Sequence, residues 1–140
     1  MKYTSVLVVL ALLLSIVSRA QDKFITVGSG GGFAGTATVY KITSKGKVFK
    51  GKGLGEIIYS ESAKIKRAKA KKYIREVSKQ TKSNSQFNHP GNLYYFIKYV
   101  EGVSEYIITW GDAQHPAPDY IQKLYQEINS TIGSAHFKPI

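Results

Sequence analysis

Three residues of this 140-residue chain carry the donor groups that metal and acid–base chemistry use: His89, Asp112 and His115. Two imidazoles with a carboxylate suit zinc, but no pair has the four-residue helical spacing that makes a zinc motif convincing. All three fall in breaks flanking an aromatic run, residues 93–110. If that run is a hairpin, His89 precedes its first strand and Asp112 follows its second, which permits a site without indicating one. The plainer reading has His89 serving its turn and Asp112 capping the backbone after Trp110-Gly111. Cysteine is absent, which removes thiol nucleophiles, disulfides and thiolate metal ligands. No G-x-S-x-G elbow occurs either. These residues make a weak case for an enzyme, and no cofactor or resident metal is expected.

Glycine supplies the second chemical possibility. Gly30, Gly32 and Gly35 satisfy G-x-G-x-x-G, yet residues 36–40 are β-rich where a dinucleotide site needs a helix. Residues 46–53 approach the P-loop pattern, but Gly53 stands where the Mg²⁺-binding hydroxyl belongs. What remains is a segment with five glycines in the eight residues 28–35, and such density is entropically costly unless the backbone must turn sharply or approach something closely. Ser29, Gly30, Gly31, Gly32, Phe33, Ala34 and Gly35 then read in two ways. Either they form a hairpin loop with Phe33 tucked onto the core, or a recognition loop that presents Phe33 as an aromatic anchor.

The elements that must position these residues begin after an export signal. Lys2, an apolar run over residues 6–17 and Ser18-Arg19-Ala20 fit a signal peptide over residues 1–20, too short for a comfortable membrane span. An exported protein, periplasmic or extracellular, with no membrane span after cleavage is expected. Residues 21–132 read as one domain and 133–140 as a loose tail. The full chain has a formal charge of +11, and removing Lys2 and Arg19 leaves 18 basic against 9 acidic residues. That balance favours an anionic polymer or an acidic protein, and nucleic acid is the least available such partner outside the cytoplasm.

Strands are expected near residues 24–27, 37–42, 47–50 and 55–59, with a basic break at residues 50–53. Ser60-Glu61-Ser62 reads as a helix start. Ala70, Tyr73, Ile74 and Val77 then mark the buried stripe of a helix over residues 63–79. Lys64, Arg67, Lys71 and Arg75 share its opposite face, ordinarily a solvated surface and alternatively a docking face for an anionic polymer. A polar loop over residues 82–92 leads to an aromatic hairpin, strands 93–100 and 103–110. Pro118 fits the start of a second helix over residues 119–132, with Ile121, Leu124, Tyr125, Ile128 and Ile132 as its stripe. Strands, helix, paired strands, helix, without βαβ alternation, predict an α+β domain: an antiparallel sheet with two amphipathic helices packed against it.

Ser29 and Gly31-Gly32-Phe33-Ala34-Gly35 match the Ser-Gly-Gly-Phe-Ala-Gly pattern that follows the first strand of the emfourin-like protease inhibitors, with one extra glycine. The aromatic strand pair, the proline-containing break and the C-terminal amphipathic helix also follow in that family's order. The chain thus resembles this family, although the export signal and residues 50–82 depart from it. The resemblance implies a binding protein that plugs the active-site cleft of a thermolysin-like, secreted zinc metalloprotease. Physically that works if residues 30–35 and neighbouring loops enter the cleft, with Phe33 filling an apolar pocket. The alternative is a binding module that uses the basic helix.

Overall fold

Along the first strand the side chains alternate, and the alternation sets which face of the sheet is covered. Ile25 and Val27 are fully buried on one side, while Gly28 and Gly30 lie on the other. The computed structural model describes residues 21–140, and the export signal expected over residues 1–20 lies outside them. In chain order these residues form β1 (Lys23–Gly31), β2 (Ala37–Thr43), β3 (Lys47–Gly53), β4 (Ile58–Lys64), α1 (Arg67–Ser83), β5 (Asn88–His89), β6 (Leu93–Glu101), β7 (Ser104–Trp110), α2 (Asp119–Gly133) and β8 (Lys138–Pro139). The sheet order is β5-β7-β6-β1-β2-β3-β4-β8, antiparallel throughout except at β5–β7. This is the expected α+β class, with both helices against the sheet.

One apolar cluster joins the sheet to both helices. Ile25, Val27, Ile42, Ile97 and Ile108 of the sheet meet Tyr73 and Val77 of α1 and Ile121, Ile128 and Ile132 of α2. The Tyr73 hydroxyl shares a 2.6 Å hydrogen bond with Thr131 Oγ1, so the buried phenol ties the helices together without an unsatisfied polar atom. On the opposite face aromatic side chains close over glycine. A methyl group at Gly28 would stand 2.8 Å from the Phe96 ring, and one at Gly30 2.6 Å from Tyr94 Oη. Strand glycines thus permit close ring-over-backbone packing.

Four expectations about the elements need correction. Helix α1 starts at Arg67, not at Ser60-Glu61-Ser62, because residues 58–64 pair with β3 instead. Glu61 there forms an ion pair with Lys50 at 2.8 Å, so its carboxylate serves the strand ladder rather than a helix N-terminus. The helix runs on to Ser83, where the Asn84 side-chain amide donates to Gln80 O at 2.9 Å and covers its end. The basic break at residues 50–53 is strand, with a register shift between Lys50 and Gly51. The loose tail is not loose: Lys138–Pro139 pairs with β4, and Ile140 N donates to Ser60 O at 3.0 Å.

That last pairing covers what would otherwise be an open sheet edge. Phe137 anchors it, its ring 5.9 Å from that of Tyr40 and packed against the core. Phe137→Ala is therefore expected to lower stability by about 2 kcal/mol, below the range for a fully buried phenylalanine. Urea unfolding checks this through a lower midpoint at an unchanged slope.

Candidate functional site

At one end of the sheet β1 runs into a turn that three glycines make possible. Gly31, Gly32 and Gly35 have φ of 95°, 73° and 62°, a region that side chains resist. Gly32 N donates to Asn92 O at 2.8 Å and Gly35 N to Gly32 O at 3.2 Å, so the turn is pinned to β6's approach and closed on itself. Phe33 at its apex is fully exposed, and Leu54 and Leu93 beside it are 75% and 58% exposed. A methyl on Gly32 would touch Leu93, and one on Gly35 would touch Leu54, which places both leucines against the turn. Three connections thus converge on an apolar rim. Of the segment expected to present the anchor, Ser29, Gly30 and Gly31 belong to β1, where Ser29 pairs with Thr38 and Tyr95. The presenting turn narrows to Gly32, Phe33, Ala34 and Gly35.

The basic residues occupy the other end. Lys71 and Arg75 of α1 line a cleft of about 1060 Å³ together with Lys41, Lys45 and Lys47 of the β2–β3 hairpin, and with Phe24 and Phe49. Lys64 does not share this face, because it sits on β4 beside a separate cleft with Lys47, Lys138 and His136. Arg67 opens α1 and is exposed outside both clefts. Lys41, Lys45 and Lys47 are additions that their alternation around the Ser44–Gly46 turn could have signalled.

Near this end Glu101 clamps three elements. It holds Lys23 of β1 at 2.7 Å and Lys82 of α1 at 3.1 Å. Those two hydrogen bonds, Lys23 first, lower the Glu101 pKa from 4.5 to about 2. A carboxylate depressed on folding stabilises fully above its unfolded pKa and loses that contribution as pH falls through its folded value. Glu101→Gln should accordingly melt below the parent protein at pH 7, with the gap closing between pH 4.5 and pH 2. Melting curves across that range check it.

The structure brings His89, Asp112 and His115 into one cluster beside β7. His115 Nδ1 lies 2.6 Å from Asp112 Oδ2, and Gln114 N donates to Asp112 Oδ1 at 3.0 Å. These bonds hold the Asp112 carboxyl below the usual range, the His115 contact contributing most. The His89 and His115 rings stack at 4.4 Å, nearly parallel. Asp112 N donates to His89 O at 3.1 Å. A methyl on Gly91 would meet Gly111 O at 2.5 Å, so only glycine lets these two backbone segments cross.

Neither nucleotide-loop pattern is followed by a helix: β2 succeeds Gly35, and β4 follows Gly53. Among the described residues no helix is long and apolar enough to cross a membrane. No family model matches the chain, and no curated protein matches it.

Proposed function

We propose that this is an exported binding protein which inhibits a thermolysin-like metalloprotease by inserting the turn at residues 32–35 into the active-site cleft. Phe33 carries the reading: a fully exposed phenylalanine at the apex of a turn held by its own backbone hydrogen bonds. A turn whose backbone is already fixed loses little on binding, and aromatic anchors dominate interface energetics. Leu54 and Leu93 supply apolar contact on both sides of it. The emfourin-like match, Ser29 and Gly31–Gly35, runs from the end of β1 through this turn, and the basic surface steers the protein toward an acidic partner. The test is a titration against a thermolysin-like enzyme and a serine protease. Stoichiometric inhibition of the first alone supports the proposal, and inhibition of neither rejects it.

The basic cleft favours a second reading, a module for an anionic polymer. Phe24 and Phe49 lie beside its lysines, with Lys41 Nζ 4.1 Å from the Phe24 ring centre. Lys71→Glu combined with Arg75→Glu separates the two readings. Salt-sensitive binding to a sulfated polysaccharide falls in that variant if the cleft is the site, whereas protease inhibition through the rim persists.

A further inference from the structure

We infer that His89, Asp112 and His115 form a binding site for one zinc-class divalent ion at the β5–β7 edge of the sheet. One donor atom from each residue lies within 4.8 Å of the other two. Two imidazoles and one carboxylate are a donor set that zinc accepts, leaving a fourth position for water or an outside ligand. Imidazole donors suit zinc, copper and nickel better than magnesium or calcium, which prefer oxygen.

The donors come from two separate segments, His89 in β5 and Asp112 with His115 after β7. His89 pairs with Trp110 across β5–β7, and its ring is packed edge-to-face against Phe87 at 4.9 Å. The Gly91–Gly111 crossing brings Asp112 to the same place, where the Gln114 amide fixes one carboxylate oxygen. His115 is exposed, so its ring can reorient without disturbing the core. Tetrahedral zinc with bonds of about 2.0–2.1 Å needs donors roughly 3.4 Å apart, a closure that side-chain rotation supplies. The ion would enter where His115 Nδ1 and Asp112 Oδ2 now share a hydrogen. Bound there, the ion would strap the segment after β7 to β5.

The experiment is calorimetric titration of Zn²⁺ into the purified protein after chelator treatment. One ion per chain is expected, with binding weakened more than roughly 100-fold in His89→Ala and in His115→Ala, beyond the effect of an outer-shell change. Asp112→Asn is expected to weaken binding as well. The remaining histidine, His136, lines a different cleft, and His136→Ala should bind as the parent does. Melting without metal guards against misfolding: His115→Ala should melt like the parent, because that side chain is exposed. Absence of saturable binding overturns the site, as does binding that survives His115→Ala or vanishes in His136→Ala.

Discussion

Phe33→Ala is expected to weaken inhibition of the target protease by about 30-fold or more while leaving the melting temperature unchanged. The size follows from the loss of at least about 2 kcal/mol that a central aromatic anchor carries. The unchanged stability follows from exposure, since Phe33 buries nothing in the free protein and surface changes stay within about 0.5 kcal/mol. An inhibition titration run beside a thermal melt reads both halves. A variant that loses inhibition and stability together would mean that Phe33 supports the fold. One that loses neither would move the contact elsewhere on the rim or to the basic cleft.

Gly111→Ala is expected to carry a large cost to folding. Its added methyl would stand 2.2 Å from Leu93 O and 2.8 Å from Gly91 N, both backbone atoms that cannot swing aside. The φ of 152° at Gly111 also lies where side chains are strained. Overpacking and backbone strain together should destabilise by about 3 kcal/mol, a fall in melting temperature of roughly 10 °C for a domain of this size. Gly133→Ala is the matched control, because nothing lies within 4 Å of its added methyl. Chemical and thermal unfolding of the two variants side by side should show a large loss in the first and almost none in the second.

Much of the architecture is legible in the chain because its signals are periodic. The stripe Ala70, Tyr73, Ile74 and Val77 is buried on α1 as its spacing predicts, and the aromatic hairpin forms β6 and β7. Where the reading misses, pairing decides. Ser60-Glu61-Ser62 has the composition of a helix cap and equally of an edge strand, and β3 settles it by offering a ladder. The two-residue strand Lys138–Pro139 has no local signal at all and forms because β4 presents an edge.

The same division holds for the candidate sites. Glycine density marks the region of the anchor turn. Separating the strand glycines beneath Phe96 and Tyr94 from the turn glycines around Phe33 requires the β1–β6 register. His89, Asp112 and His115 are identifiable by donor type, but their meeting depends on the Gly91–Gly111 crossing, which no spacing rule encodes. Lys71 and Arg75 reach the basic cleft, whereas Lys64 is lost to it with the shift of the helix start.

The most direct measurement of how this protein binds is amide hydrogen exchange, free and in complex with a thermolysin-like protease. The proposed mode predicts protection concentrated at residues 32–35, at the β3–β4 turn around Leu54 and at the start of β6 around Leu93, with α1 unchanged. Protection centred instead on residues 41–47 and on Lys71 to Arg75, or no complex at all, would contradict it.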